Sequence, residues 1–232
     1  MSAILQIKDL TLEVDYKPIK NVHLTVYPPS GRVHVSAPLS MKEEAVRLFV
    51  ITKMQWIKDK REVLINRERQ TERQYVAGEN HYFLGQRYRL KVQDTTSAPS
   101  VVPQGKTYLV LSIREGVSVE RKAEAMKDWY RKELKALLPS LIEKWEKILD
   151  VSVKYWDVKQ MKTLWGSCNH STARVLFNLE LAKKPVQCIE YVVAHELTHI
   201  RIRLHNDEFI ALLDEHLPTW QMLKDQLNEF IV

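Results

Sequence analysis

The sequence predicts an α+β protein, with a strand-rich amino part carrying one long helix followed by a mostly helical part. Two patterns predict it. Val22-His23-Leu24-Thr25-Val26-Tyr27 and Arg32-Val33-His34-Val35 alternate with period two, as half-buried strands do. Trp129, Tyr130, Leu134, Leu137, Leu138, Leu141, Ile142, Trp145 and Ile148 instead recur at helical spacing, which makes those aromatics core residues. The change of period divides the chain into an amino domain over 1–115 and a second domain over 116–232.

Taken in order, residues 3–38 read as strands, with Pro28-Pro29-Ser30-Gly31 as a hairpin connection. Ser40 and Glu43 have the spacing of a capping box. They open the long helix, whose apolar positions Phe49, Val50, Met54 and Ile57 carry it toward Arg69. Strand patterns return at Tyr82 to Leu84, Tyr88 to Val92 and Tyr108 to Ile113, and Thr95 to Gly105, with two prolines, reads as a loop. From Val119 the pattern is helical. Pro139 lacks the N–H a helix interior needs, so it starts a new helix or kinks the old one. Val151 to Val158 and Arg174 to Asn178 read as strands. The second is either a core strand or a cleft edge that could pair with an extended peptide. Internal repeats and low-complexity tracts are absent from the sequence.

Composition bounds the function. The chain is 45% hydrophobic and 28% charged, the balance of a soluble globular protein. No apolar run approaches the ~20 residues that span a bilayer. The amino terminus, Met-Ser-Ala-Ile-Leu-Gln-Ile-Lys, has no signal-peptide anatomy, and the two cysteines Cys168 and Cys188 make no disulfide framework. The expectation is a cytoplasmic protein. The net charge of +6 is dispersed, and the densest basic stretch, Lys58 to Arg73, also holds Asp59, Glu62, Glu68 and Glu72. It reads as a solvated helix face, although the charge allows an acidic partner.

One stretch carries chemistry. His195-Glu196-Leu197-Thr198-His199 is an H-E-x-x-H pentad. On a helix, positions i and i+4 are separated by about 6 Å of rise and 40° of rotation, so two imidazoles converge on one metal ion. The carboxylate between them can take a proton from a water that the metal activates, as in metalloproteases. Val186, Ile189, Val193, Leu197 and Ile200 fall at about 120–200° from His195, on the opposite side. The segment therefore reads as an amphipathic helix, core on one face and imidazoles on another, with Pro185 suited to its start.

A hydrolytic zinc site usually has a third protein ligand and an open position. His205 is the best candidate. In a continuing helix it would lie about 15 Å along the axis from His195, so the chain must leave the helix between Ile200 and Leu204. Asn206 or Asp207 could then cap a new helix through Phe209, Leu212 and Leu213. Asp207, Glu208, Glu215 and His216 are the alternative ligands.

These residues also resemble a known family. Trp165-Gly166-Ser167-Cys168, Phe177-Asn178-Leu179, Pro185, and Tyr191-Val192-Val193-Ala194 leading into the pentad with a histidine six residues on are similar to the YgjP-like metal-dependent hydrolases, relatives of the zincin metallopeptidases. Arg32-Val33-His34-Val35-Ser36-Ala37-Pro38 and Gly78-Glu79 followed by Tyr82-Phe83-Leu84-Gly85 extend the resemblance over nearly the whole chain. It departs at Leu164, where the family often has Arg, and at Ile210, where it commonly has Trp. The resemblance implies a zincin-like second part, His195, His199 and His205 as zinc ligands, Glu196 as the catalytic base, and a peptide or protein substrate.

Other chemistry is less well supported. Cys168-Asn169-His170 is too tight for the usual C-x2–4-C metal pair, and Ser167 has no G-x-S-x-G elbow. The W-G-S-C segment reads as structural or cleft-lining, its Gly166 marking a close backbone approach or a sharp turn. One alternative function is a phosphate-ester or nucleotide hydrolase using Lys162, Arg201 and Arg203, but no G-x-x-x-x-G-K-[ST] loop supports it. The other is a non-catalytic module with structural zinc that binds nucleic acid.

Overall fold

A computed structural model of the protein describes residues 2–27, 31–66 and 73–229. It confirms the α+β class and divides the chain into two compact units, Met1–Thr71 and Glu72–Val232. No helix among the described residues is long and apolar enough to cross a membrane.

The first unit pairs β1 (Ser2–Ile7), β2 (Leu10–Lys17), β3 (His23–Tyr27) and β4 (Arg32–Pro38) in the order β1-β2-β4-β3. β2 and β4 run parallel and the other pairs antiparallel. The period-two alternation places Val33, Val35 and Ala37 in a core with Leu12, Val14, Val46, Val50 and Ile57. The expected single helix is two, α1 (Glu43–Thr52) and α2 (Met54–Asn66). Lys53 interrupts them by bonding back three residues, Lys53 N–H to the Val50 carbonyl at 3.1 Å. The Ser40–Glu43 capping box does not form. Ser40 lies in a turn closed by Met41 N–H on the Pro38 carbonyl, the N-cap is Lys42, and the Glu43 carboxylate accepts from Arg47. The Pro28–Gly31 connection and the helix beyond Asn66 fall on 28–30 and 67–72, outside the described residues.

The second unit begins with β5 (Asn80–Phe83), β6 (Gln86–Gln93), β7 (Ser100–Gln104) and β8 (Tyr108–Ser112), in the order β5-β6-β8-β7. The β6–β8 pair is parallel, so the connectivity of the first sheet is repeated without a repeat in the sequence. β7 lies where a loop was expected; its Pro103 is tolerated because β7 is an edge strand. Leu90, Leu109, Leu111 and Ile113 share one core with Met126, Trp129 and Leu134 of α3 (Val119–Leu149), which ties this sheet to the second unit. α3 starts at its Ser118 cap and runs through Pro139 without starting a new helix, its buried stripe Leu134, Leu138, Leu141, Ile142 and Trp145 continuing across the proline.

A three-stranded sheet follows, with β9 (Tyr155–Lys159), β10 (Gly166–Asn169) and β11 (Arg174–Asn178) in the order β10-β11-β9. β9 starts four residues after Val151, where the strand was expected to begin. β11 is central, with Val175 and Phe177 fully buried, so the core reading of that strand holds, and the W-G-S-C segment supplies the edge. A 3-10 turn (Leu179–Lys183) leads into α4 (Val186–Arg201), α5 (Asp207–His216) and α6 (Trp220–Glu229). The turn is fastened to the β5–β6 hairpin by Leu84 N–H on the Ala182 carbonyl and Gly85 N–H on the Lys183 carbonyl. Leu84 and Gly85 both have positive φ, and a Cβ on Gly85 would stand 2.8 Å from Pro185, so only glycine fits where this hairpin meets the start of α4.

Candidate metal centre

α4 carries the pentad. Ile189, Val193 and Leu197 are fully buried, as their positions opposite His195 require, and Thr198 folds its hydroxyl back onto the Ala194 carbonyl at 2.8 Å. The helix ends at Arg201. Ile202 is extended, and Asn206 caps α5 by accepting from Phe209 N–H at 3.1 Å. The chain thus leaves the helix within the interval that a returning His205 demands.

His205 does return. Its Nε2 lies 3.1 Å from Nε2 of His195 and 3.1 Å from Nε2 of His199, and the three ligand atoms lie within 4.8 Å of one another. One proton on His205 could satisfy only one of those contacts, so lone pairs face one another and a cation between them is the natural partner. Ligand nitrogens at about 2.05 Å from a tetrahedral zinc are roughly 3.3 Å apart, close to the spacing seen. His199 Nδ1–H donates to the Ile202 carbonyl at 3.1 Å, which turns its Nε2 lone pair toward the centre. Burial, then the neighbouring His199, His205 and Lys224, lowers the pKa of His195 to about 3. His199 is lowered too, chiefly by burial. Neutral imidazoles are the ligand form. The residues present therefore fit a divalent metal. Asp207, Glu208, Glu215 and His216 do not join the cluster found among the described residues.

Beneath the cluster lies Phe209, 1% exposed, its ring centroid 5.1, 4.8 and 4.7 Å from those of His195, His199 and His205. The sequence marked it only as an apolar position of α5.

Glu196 is buried, and burial pushes its carboxyl up to about 8. It lies against β10. A Cβ on Gly166 would stand 2.6 Å from Glu196 Cγ and 2.6 Å from Oε1, so the glycine of W-G-S-C is there for close approach and not for a turn. Asn178 holds the preceding loop, donating to the Met161 and Leu164 carbonyls at 2.9 and 2.7 Å and accepting from Met161 N–H and Glu180 N–H, both at 3.2 Å. His170 donates from Nδ1 to the His199 carbonyl at 2.9 Å. Burial, then Glu196, pushes the Cys168 thiol up to about 11, and Cys168 does not join the cluster found among the described residues.

A cleft of about 180 Å³ opens on the Glu196 side, lined by Trp165, Tyr191, His195, Glu196, Lys224 and Leu227 among others. The contribution of α6 was not anticipated. Its Trp220, Lys224 and Leu227 share a helix face, but nothing in the sequence ties that face to the pentad. Lys162, Arg201 and Arg203, the cations suited to a nucleotide, do not line this cleft.

Two solved structures of metallopeptidase zymogens are similar to parts of this chain. Abylysin of Pyrococcus abyssi is 15% identical with a TM-score of 0.36, the match covering 38% of this chain and 90% of that one. Jannalysin of Methanocaldococcus jannaschii is 18% identical with a TM-score of 0.35, covering 38% and 91%. No curated protein matches the sequence. The model of the YgjP-like metallopeptidase domain matches residues 20–230, and the chain therefore belongs to the YgjP-like family as a metal-dependent peptidase acting on peptides or proteins.

Proposed function

We propose that the protein is a zinc metallopeptidase of the H-E-x-x-H type, with His195, His199 and His205 holding the ion and Glu196 acting as general base. The observation that carries this reading is the convergence of three Nε2 atoms beside a cleft floored by a buried carboxyl. Three neutral ligands would leave zinc its full charge and a fourth position, where it acidifies water to a pKa of about 7 and polarises a carbonyl.

The chain's own groups supply the rest. Glu196 takes a proton from the attacking water and passes it to the leaving nitrogen, so no covalent nucleophile is needed. Burial raises its pKa toward neutrality, and a dication beside it pulls in the opposite direction, which keeps it usable as a base. β10, the sheet edge beside Glu196, offers backbone groups to an extended substrate.

Glu196→Gln tests the assignment. The variant is expected to keep one zinc per chain and lose about a thousandfold in kcat/KM on a fluorogenic peptide pool. Undiminished turnover, or loss of the metal, would contradict it. Nucleoside triphosphates are offered in parallel, and their consumption with every peptide left intact would refute the peptidase reading.

A further inference from the structure

The cleft beside Glu196 has a chemistry of its own. Leu164, Trp165, Val192 and Leu227 give it apolar walls, and Glu196 closes its floor. Asn228 is already engaged: its Oδ1 accepts from Trp165 Nε1–H at 3.2 Å, and its Nδ2 donates to the Lys224 carbonyl at 2.8 Å. It pins Trp165 to α6. Lys224 is different. Its side chain is exposed, it lines the cleft, and it makes no ion pair among the described residues. Its ammonium lies 5.8 Å from the Trp220 ring, which stacks on Tyr191 in the cleft wall. At about 180 Å³ the cleft is smaller than the roughly 300 Å³ at which small-molecule pockets begin, so it takes one side chain.

We propose that this cleft is a specificity pocket for a substrate residue bearing a carboxylate, whose stem packs on Trp165 and Leu227 and whose anion pairs with Lys224. The inference rests on the peptidase reading and extends it to a substrate class. The carboxylate has two sources, an Asp or Glu side chain within the peptide or the free carboxylate of its last residue. The walls are apolar and the cation at the rim is Lys224, which favours either over a neutral or basic residue.

The test is a cleavage-site profile read by mass spectrometry. A peptide library is offered to the zinc-loaded protein in free-acid and amidated forms, using the natural chain, Lys224→Met and Lys224→Glu. Lys224 is exposed, so both variants should fold, and thermal melts check this. The natural chain is expected to select acidic residues at one subsite in both library forms, or to cut only near the free carboxyl terminus. The first outcome assigns the side chain as the source and the second the terminal carboxylate. Lys224→Met should lower that preference about tenfold, and Lys224→Glu should turn it toward Lys and Arg. A single profile shared by all three proteins would overturn the pocket's role while leaving the peptidase reading intact. If the natural chain cuts no peptide, both fall.

Discussion

Gly166→Ala probes the contact between the W-G-S-C strand and the proposed base. The new Cβ would meet Glu196 Cγ at 2.6 Å, Oε1 at 2.6 Å and Cδ at 2.8 Å. Carbon atoms are at ease at about 3.5 Å or more, so roughly 0.9 Å must be found. Gly166 does not have positive φ, so the penalty is purely steric. The helix cannot readily retreat, because Ala194 and Thr198 on the face opposite Glu196 are fully buried. β10 is held by its pairing with β11, where Gly166 faces Phe177. The carboxyl must therefore move. Overpacking of this kind costs about 1–3 kcal/mol of stability. Displacing a reacting group by ~1 Å costs about a hundredfold in rate. Urea denaturation, zinc content and kcat/KM on a fluorogenic peptide read the three consequences separately. The expected variant is folded, modestly destabilised, metal-replete and about a hundredfold slower. Natural stability and turnover in Gly166→Ala would show that this contact does not constrain Glu196.

Three further outcomes are expected. Asn178→Ala removes a side chain that makes four hydrogen bonds, and should cost about 2–4 kcal/mol in urea unfolding; a loss below about 0.5 kcal/mol would contradict its role as the fastener of the loop. Phe209→Ala leaves the three ligating rings unsupported and should weaken zinc binding about 10–100-fold in a competition titration, against no change if the rings hold their own geometry. His81 is 2% exposed, and burial, then Arg73 and Lys183, lowers its pKa to about 3. The folded state keeps it neutral while the unfolded chain protonates near 6.5. Its stabilising contribution is thus complete above about pH 6.5 and is lost as the pH falls toward 3, at up to about 1.4 kcal/mol per unit. His81→Phe, which retains a ring against Tyr75, should flatten that acid limb; an unchanged pH dependence would count against it.

Much of the site was legible because its information is local. Two histidines four apart, a helix whose apolar stripe faces away, and Asn206 placed to cap a second helix together oblige the chain to turn where it does. The same local signals misread α1 and α2: Val46, Val50 and Ile57 keep one buried stripe across Lys53, so periodicity hides the interruption. Pro103 was read as part of a loop and lies in a strand, since an edge strand needs no N–H on its free side; Pro139 starts no new helix, since a long buried stripe can carry a helix across a proline. What stayed illegible is long-range. A hydrophobic stripe says that a face is buried but not against what, so the core shared by Leu109 and Met126, the place of Phe209 under three imidazoles and the reach of Lys224 into the cleft emerge only with the fold.

The proposed metal site joins two histidines of α4 to one from the turn after it. An anomalous difference map from a crystal of the zinc-loaded protein, collected across the zinc edge, tests it most directly. One peak is expected, about 2.1 Å from Nε2 of each of His195, His199 and His205. A peak that reaches neither pentad histidine, or one completed by Glu215 or His216 in place of His205, would contradict it.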